Sequence, residues 1–495
     1  MHQQANQRGA TGNSLSYRPP ESLNAVVMHD GGVNAWLDDP ENGTTIQRPA
    51  PVLEDGNLSY QIPGKRVPLG FYSAGTANFR YWTAVEALRR GADFWQARIP
   101  DLQWHMGRKL TVVLDDGVDL NAYYDRTALK FFHGRSSEGL VYSGESPDIL
   151  CHEMGHAILD ALKPELWNVG SQEVAAFHES FGDMSAILSA LQLPVMRAAV
   201  ISETDGHINR NSRLSRMAEQ LGQAIRESYP DAVDPDCLRN ASNRFMYKAP
   251  TLLDSSGPAS LLTSEPHSFS RVFTGAFLDA IAGMLLAAAR DRAAPTDDEL
   301  LQMSAHMGDI LIAGVRNAAV VSNFYSQVAA GMVQAAGRIN PAYPRPLKAA
   351  FVRRGVLSLH SATSVETLGT AARSMFGDGS GEEPVSHAPS GIALDGKPYG
   401  LGDMALIVET PSQPRRFAAS SAVNEFAPVQ VPSSEVAARG FVEQLFKQGR
   451  VDLSDAASEA DRIDPLASLK THRLVKAEGA LRLERILCDC GLNHD

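Results

Sequence analysis

Hydrophobic residues recur along this chain with two spacings, one typical of helices and one typical of strands. Between residues 72 and 98 the apolar side chains fall three or four positions apart, which predicts a helix with one buried face. Similar spacing predicts further helices at 273–289, 297–320, 322–337, 347–356 and 435–447. Short apolar runs between turn residues predict strands at 110–114, 121–124, 128–132, 404–409, 471–476 and 481–487. Together these elements predict an α+β protein.

Changes in composition divide the chain into five predicted segments. The first 20 residues are rich in Gln, Asn, Gly and Ser, and residues 360–401 are rich in Gly, Ser, Thr and Pro, which is typical of segments without a packed core. We predict a polar tail with short strands at 1–70, a β-rich part ending in a helix at 71–162, a helical part at 163–358, a linker or long loop at 359–402 and a small α/β appendage at 403–495.

The clearest chemical motif is His152-Glu153-Met154-Gly155-His156, an HExxH run inside a predicted helix. Ser146-Pro147-Asp148 precedes it and is a strong helix start, with a capping hydroxyl and a proline in the first turn. Residues four apart share one helix face, so His152 and His156 suit one tetrahedral zinc ion. Glu153 lies roughly 100° around the helix, within reach of a water on the metal without being a ligand itself.

A catalytic zinc ion needs a third protein ligand, and the next predicted helix offers one. We expect Ser171 to cap this helix, and Glu179 and Asp183 lie four positions apart on one of its faces. Glu179 offers the metal a carboxylate, and Asp183 is a partner for an imidazole ligand. A capped helix with two surface histidines would explain the first motif but not the second. The two helices therefore predict one zinc ion per chain.

These motifs, in this order, resemble those of the thermolysin-like zinc metallopeptidases, gluzincins in which HExxH is followed by a helix with a glutamate ligand. The resemblance covers roughly residues 75–358. It implies that His152, His156 and Glu179 bind the metal, that Glu153 is the general base and that Asp183 orients His152.

Three flanking segments match the same family in the expected order. Asn121-Ala122-Tyr123-Tyr124 resembles the edge strand whose Asn and Ala hydrogen-bond the substrate backbone. Asp236-Cys237-Leu238-Arg239 resembles the segment whose arginine supports a substrate carbonyl, and His267-Ser268-Phe269-Ser270 resembles the one that supplies a histidine to the transition state. Trp167 stands where the family carries an oxyanion donor, although it offers only an indole N–H and packing is its alternative role. The implied substrate contacts are Asn121, Ala122, Arg239 and Trp167, and the implied second catalytic residue is His267.

Two histidines compete for this second catalytic role. His207 lies in Asp205-Gly206-His207-Ile208-Asn209, which superficially resembles the family's string. His267 follows Arg239 in the family's order and precedes a predicted long helix, so we favour His267. The carboxylate that orients this histidine in the family is missing from its usual place, and Glu265 is the nearest substitute.

The resemblance implies a β-rich N-terminal lobe and a helical C-terminal lobe, with the zinc helix in the cleft between them. The small α/β appendage lies outside the resemblance. Many relatives carry a double calcium site on and after the helix of the glutamate ligand. Residues 190–196 are apolar here, and Asp148 alone offers too few oxygens for calcium. We therefore predict that this calcium site is absent.

Charge and composition narrow the range of partners. A formal net charge of −12 argues against nucleic acid or an anionic membrane as the main partner. The four cysteines do not form a disulfide framework, and Cys488 and Cys490, a bare CxC pair, are too little for a metal site. The N-terminus shows no apolar secretory segment and no uninterrupted apolar run has membrane-spanning length. This slightly favours the cytoplasm over secretion, although the family is mostly secreted, and the oligomeric state stays open.

The predicted function is zinc-dependent hydrolysis of internal peptide bonds in a peptide or protein substrate. A metal-activated water attacks the bond, and Glu153 takes its proton and passes it to the leaving amine. Ile149 and Leu238 match pocket-lining positions of the family, so we expect a hydrophobic residue just after the cleaved bond. Two alternatives are a zinc aminopeptidase-type gluzincin and a non-catalytic metal-binding scaffold that acts through its C-terminal appendage. The GxMEN-type motif of such aminopeptidases is not evident before His152, and a structural zinc does not need Glu153.

Overall fold

The computed structural model of the protein describes residues 31–64, 66–289, 294–364, 390–412, 419–422, 431–454, 469–477 and 479–491. Within these ranges the protein combines helices with several small sheets, so the predicted α+β class is confirmed. The predicted polar tail at 1–20 and residues 365–389 of the predicted linker lie outside the described residues.

The helices are α1 (Ala77–Gln96), α2 (Pro147–Leu162), α3 (Gln172–Ala190), α4 (Pro194–Glu203), α5 (Glu219–Ser228), α6 (Pro266–Ala289), α7 (Asp297–Asn317), α8 (Phe324–Ile339), α9 (Pro344–Arg353) and α10 (Ser434–Lys447). The strands are β1 (Gly32–Trp36), β2 (Thr45–Pro49), β3 (Ser59–Gln61), β4 (Lys109–Val113), β5 (Ala122–Tyr124), β6 (Ala128–Phe131), β7 (His133–Ser136), β8 (Gly139–Tyr142), β9 (Arg216–Met217), β10 (Arg239–Asn240), β11 (Ser390–Asp395), β12 (Ala405–Thr410), β13 (Val451–Asp452), β14 (His472–Ala477), β15 (Ala480–Arg485) and β16 (Cys488–Asp489).

Several element boundaries differ from those predicted. α1 begins at Ala77 rather than at residue 72, because the Thr76 side chain caps it by accepting a hydrogen bond from Phe79 N at 3.3 Å. α6 begins at Pro266 rather than at residue 273, so His267 lies in its first turn. The prediction of a linker up to residue 402 was wrong at β11, which pairs with β12 along its whole length and thereby satisfies its backbone groups.

The sheet beside the zinc-motif helix has the strand order β16-β5-β6-β4-β3. β3, β4 and β6 are parallel, and β5 runs antiparallel to β6. β16 comes from the other end of the chain and adds to β5 in antiparallel orientation, with Cys488 opposite Tyr124 and Asp489 opposite Tyr123. The predicted edge strand is thus covered by the last described strand of the chain.

α2 and α3 cross at two glycines, which brings their polar faces together. A Cβ atom on Gly155 would lie 2.8 Å from the Gly182 Cα atom, and one on Gly182 would lie 2.6 Å from the His152 ring. Both separations are too short for carbon atoms, so larger residues would push the helices apart. On its other side α3 packs on α6, where the Phe177 and Phe273 rings meet edge to face with centroids 5.3 Å apart.

The C-terminal appendage is a sheet of order β11-β12-β15-β14-β13 that packs on α10. Its last two strands, β14 and β15, form the predicted antiparallel pair. It docks on the loop between α2 and α3, where Gly170 N donates to Glu409 O at 2.8 Å and Trp167 Nε1 donates to Arg485 O at 3.0 Å. The appendage has its own hydrophobic core, which includes Leu406, Val408, Phe441, Leu474 and Leu483.

One described helix, Pro266–Ala288, is long and apolar enough to cross a membrane, and the bent pair α3–α4 would be a second if it were one span. In the fold, 78% of the most apolar stretch of this helix is buried inside the protein. The sequence expectation considered only uninterrupted apolar runs, whereas this helix includes polar residues such as Ser270 and Thr274 that face the protein interior.

Candidate metal centre

α2 and α3 direct three ligand atoms to one position. His152 and His156 leave the same face of α2, and Glu179 faces them from α3. His152 Nε2 lies 3.4 Å from Glu179 Oε2, and His156 Nε2 lies 3.8 Å from Glu179 Oε1. Ligand atoms of all three residues lie within 4.8 Å of one another and are buried. The structure therefore brings together the three residues that the sequence assigns to the metal.

The polar atoms of this group lack partners, which fits a bound metal ion. His152 Nε2 and His156 Nε2 are buried without a hydrogen-bond partner, and Glu179 Oε2 likewise has none although His267 Nε2 lies 3.2 Å away as a charge partner. Such buried atoms are unfavourable unless something else binds them. Zinc bonds of about 2.0–2.1 Å at tetrahedral angles put ligand atoms roughly 3.4 Å apart. The separations of 3.4 and 3.8 Å are close to this value, so these residues fit a single zinc ion.

Asp183 holds His152 in the orientation that a ligand needs. Because a carboxylate only accepts, His152 Nδ1 donates to Asp183 Oδ1, at 2.9 Å, and leaves Nε2 to face Glu179. Arg239 Nη2 donates to the same oxygen at 3.0 Å. Burial raises the pKa of Asp183, but the Arg239 charge and the His152 hydrogen bond outweigh burial and lower this pKa to about 2. Asp183 therefore stays charged and keeps the imidazole oriented.

Glu153 lies beside the group without belonging to it. Its side chain is fully buried, and neither carboxylate oxygen has a hydrogen-bond partner. Burial raises the pKa of Glu153 to about 8, with the His152 charge opposing the rise and the Glu179 charge adding to it. A carboxyl group with such a pKa can accept a proton near neutral pH and release it again.

Glu179 and His156 have the charge states that metal binding requires, whereas His152 would lose a proton to a metal ion. At His152 burial lowers the pKa, but the hydrogen bond to Asp183 and the short contact with Glu179 outweigh burial and raise this pKa to about 9, so a metal ion would displace a proton there. Burial raises the pKa of Glu179, but the charge of His267 and the short contacts with the His152 and His267 rings outweigh burial and hold this pKa well below its usual range. Burial lowers the pKa of His156 to about 3, so this ring is neutral and its lone pair is free to bind a metal.

His267 reaches the same carboxylate from the first turn of α6. Its Nε2 atom lies 3.2 Å from Glu179 Oε2, and its Nδ1 atom lies 2.7 Å from Glu265 Oε1. Glu265, which the sequence offered as the nearest substitute carboxylate, thus hydrogen-bonds His267 and can orient its ring. His207, the competing candidate, is exposed. The structure brings His267, and not His207, to the group.

The starts of α2 and α3 differ in detail from those predicted. Ser146 and Ser171 stand at the N-cap positions, but neither side chain makes a capping hydrogen bond. Ser146 Oγ instead donates to Asp39 Oδ2 at 2.7 Å, so it joins α2 to a distant loop. Pro147 occupies the first turn of α2 as predicted, where its missing N–H is not needed.

Three of the four predicted substrate contacts hydrogen-bond residues 490–491, whereas Trp167 hydrogen-bonds the appendage elsewhere. Asn121, Ala122 and Arg239 are buried near the group, and each hydrogen-bonds the backbone of residues 490–491. Trp167 is 4% exposed, and its N–H donates to the Arg485 carbonyl of the appendage. Its donor is therefore engaged away from the metal ligands, which favours the packing role.

Sequence reasoning missed a second group of ligand atoms that adjoins the first. His156, His178 and Cys488 offer buried atoms within 4.8 Å of one another. His178 Nε2 has no hydrogen-bond partner, and Cys488 Sγ lies 4.0 Å from His178 Nδ1. Burial raises the pKa of the Cys488 thiol to about 12. His178 and Cys488 are 310 positions apart, so no local spacing could have indicated their contact.

Asp148 is not the isolated carboxylate that the sequence indicated. It is 8% exposed, and burial together with the charges of Asp39, Asp38 and Glu219 raises its pKa well above the usual range. These acids come from distant parts of the chain, so the sequence gave no sign of them. The absence of the calcium site stays a prediction.

Within the described part of the chain, two groups of histidine, cysteine and carboxylate side chains are close enough to hold a metal ion. The two groups adjoin and share His156. Only the first combines the HExxH motif with a carboxylate ligand and an adjacent unpartnered glutamate. No model of a known protein family matches this chain, and no curated protein matches it.

Proposed function

We propose that this protein is a zinc-dependent endopeptidase of the thermolysin-like type. The observation that carries the proposal is the convergence of three buried, unpartnered ligand atoms next to Glu153, a carboxyl group outside the ligand set. A structural metal site needs no such carboxyl group, whereas hydrolysis needs a base beside the attacking water.

His152, His156 and Glu179 would hold the metal. When bound, zinc supplies a Lewis acid and lowers the pKa of water to about 7. Glu153 takes the proton of the attacking water and later passes it to the leaving amine. The unpartnered oxygens of Glu153 suit a group that must both receive and release a proton, and a bound cation would lower its pKa from about 8, which makes the carboxylate available as the base.

Charge that develops on the substrate is met by His267 and Arg239. His267, held by Glu265, donates from Nε2 to the carbonyl oxygen of the bond that breaks. Arg239 donates to the next carbonyl oxygen along the substrate. Asn121 and Ala122 hold the peptide extended along β5, so that it adds a strand to the sheet.

We further propose that the sheet containing β3–β6 and the helices after α2 correspond to the two lobes of that family, with α2 in the cleft. Ile149 and Leu238, the residues that match the family's pocket-lining positions, are both buried, at 2% exposure each. A hydrophobic residue just after the cleaved bond is the expected preference.

The variant Glu153→Gln tests this function. It keeps all three ligands, so we expect zinc content equal to that of wild type by elemental analysis. It removes the base, so chelator-sensitive cleavage of an unstructured protein should fall about 10²–10⁴-fold. Glu435→Gln, in which the changed side chain is 63% exposed on α10, is the matched control and should cleave like wild type.

Unchanged cleavage by Glu153→Gln would refute the assigned base. Zinc-loaded wild-type protein without chelator-sensitive cleavage would favour the non-catalytic scaffold. Release of single N-terminal residues without internal fragments would favour the aminopeptidase.

A further inference from the structure

The candidate centre is closed off from solvent. Five residues of the centre are each between 0% and 3% exposed: His152, Glu153, His156, Glu179 and His267. The cavity beside Glu179 and His267 holds about 40 Å³, which is room for a water but not for a peptide. A peptidase must admit an extended chain to these groups, so whatever covers them controls access.

The cover is the chain's own C-terminal segment, residues 488–491, lying along β5 as an added strand. Cys490 N donates to Ala122 O at 3.0 Å. Gly491 N donates to Asn121 Oδ1 at 2.7 Å. Asn121 directly precedes β5 and Ala122 begins it, and these are the two residues to which the proposed function assigns the substrate backbone.

The carbonyl groups of the same segment meet the other two substrate-binding groups. His267 Nε2 donates to Asp489 O at 2.6 Å, since a carbonyl oxygen only accepts. Arg239 Nη1 donates to Cys490 O at 3.1 Å. The peptide unit between Asp489 and Cys490 therefore has its carbonyl on His267 and its N–H on Ala122. Through these four contacts, residues 489–491 fill the position that the proposed function gives to a substrate backbone.

The appendage holds this segment in place. β15 belongs to the appendage sheet and leads through Ile486 and Leu487 directly into β16. Arg450 Nη2 donates to both carboxylate oxygens of Asp489, at 2.9 and 3.2 Å, and both side chains of this pair are 6% exposed. Arg485 Nη1 contacts Cys488 Sγ at 3.2 Å. A buried, two-bond ion pair fixes one geometry far better than a surface pair does.

We propose that residues 488–491 are a built-in inhibitory strand, carried by the appendage, which occupies the peptide-binding cleft and must leave before another peptide can bind. This inference rests on the proposed function, because the groups that the strand blocks are those assigned to the substrate. Since the strand is tethered, it competes at an effective concentration of about the millimolar range with any peptide in solution. Activity is thus restrained by the C-terminal end of the chain.

The variant Cys490→Pro tests the strand in the full-length protein. Proline removes the N–H that donates to Ala122 O and puts its ring against that oxygen. We expect the rate of chelator-sensitive cleavage, at substrate concentrations below KM, to rise about tenfold or more, which corresponds to about 1.4 kcal/mol or more of lost strand binding. Cys490→Ser keeps the N–H and nearly the same volume, so it is the matched control and should cleave like wild type.

A second measurement does not depend on activity. Cys488 is the first residue of the strand and is 2% exposed, so a soluble maleimide should label it slowly in wild type and in Cys490→Ser. In Cys490→Pro we expect labelling of Cys488, identified by mass spectrometry of its peptide, to be about tenfold faster or more. Cys151 and Cys237 are buried elsewhere and serve as internal references, whereas Cys490 is present in wild type and absent from both variants.

The outcomes separate the strand from the function. Faster labelling of Cys488 with no cleavage by either protein would support the strand and refute the proposed function. Equal cleavage by Cys490→Pro and Cys490→Ser would overturn the inhibitory strand and leave the proposed function standing. If Cys490→Pro does not fold, Gly491→Val takes its place with the same outcomes, because a Cβ at residue 491 would lie 2.6 Å from the Asn121 side chain.

Discussion

Glu153 is fully buried, yet neither of its carboxylate oxygens has a hydrogen-bond partner. A cation held by His152, His156 and Glu179 would lower the pKa of Glu153 from about 8, because a nearby positive charge favours the carboxylate. The ligands and the base therefore depend on each other. The HExxH spacing predicts their shared helix from helix geometry alone. Their burial could not be predicted, because it arises from α3, α6 and residues distant in the chain.

Asp38 shows the same effect of burial away from the metal ligands. It is 2% exposed, and its Oδ1 atom has no hydrogen-bond partner. Its Oδ2 atom accepts from Asn42 at 3.1 Å and from Arg213 at 3.3 Å. Burial raises the pKa of Asp38 to about 7, with Arg213 opposing the rise and the charges of Glu219 and Asp39 adding to it.

Asp38→Asn should change how stability depends on pH. The folded pKa of about 7 lies above the ordinary 3.8, so the folded protein binds this proton more tightly than the unfolded chain. The free energy of unfolding therefore falls as pH rises from about 4 to about 7, and the loss is complete above that range. Asparagine avoids this loss, so the variant should gain about 2 °C or more in Tm relative to wild type on going from about pH 5 to about pH 8.

Thermal unfolding of both proteins at the two pH values checks this expectation. Asp403→Asn, in which the changed side chain is 91% exposed, is the control and should differ from wild type equally at both. The same equal difference for Asp38→Asn would contradict the raised pKa.

Among the elements, α2 and α3 decide the geometry of the centre. The predicted helix starts and the spacing of the two motifs indicate these helices, and the shared ligand set predicts that they face each other. The closeness of the crossing depends on Gly155 and Gly182, which lack the side chains that would separate the helices. Periodicity does not register such a contact, because it counts apolar positions along one helix and not the space between two.

Gly182→Ala should disturb the centre through this crossing. The new Cβ atom would lie 2.6 Å from the His152 ring, so the ring or the helix must move. We expect a loss of about 1–3 kcal/mol in the free energy of unfolding, together with a lower zinc content. Gly440→Ala in α10, where the Cβ would meet only Gln172 Nε2 at 3.2 Å, should keep both. Urea unfolding measures the free energy of unfolding, and elemental analysis measures the zinc content. Wild-type values of both in Gly182→Ala would contradict the close contact of α2 and α3 at this glycine.

β16 is the element that local patterns could not predict. It is two residues long, and its partner β5 lies more than 300 positions earlier in the chain. The CxC pair was visible in the sequence, but nothing near it indicated a strand. Its pairing arises because β5 leaves backbone groups free at a sheet edge, and an extended segment satisfies them.

At the scale of the whole molecule, the appendage packs back on the part of the protein that holds α2 and α3. The sequence predicted the antiparallel pair that β14 and β15 form in this part, but it could not show where the unit docks. The α2–α3 loop hydrogen-bonds two residues of the appendage, Glu409 and Arg485. Gly170 and Trp167 donate to their backbone carbonyls, and the Asn168 side chain contacts the Glu409 side chain and the Arg485 N–H. Docking at this loop brings residues 488–491 beside β5. Such contacts join distant parts of the chain, so they follow from the assembled fold and not from any local pattern.

The zinc content of wild type and of Glu179→Ala tests the central claim most directly. Both proteins are dialysed against a weak chelator and then measured by elemental analysis. The convergence of His152, His156 and Glu179 predicts about one zinc ion per wild-type chain and far less in the variant, since two imidazoles alone hold the ion weakly. Equal zinc in the two proteins, or a wild-type chain that takes up no zinc, would contradict it.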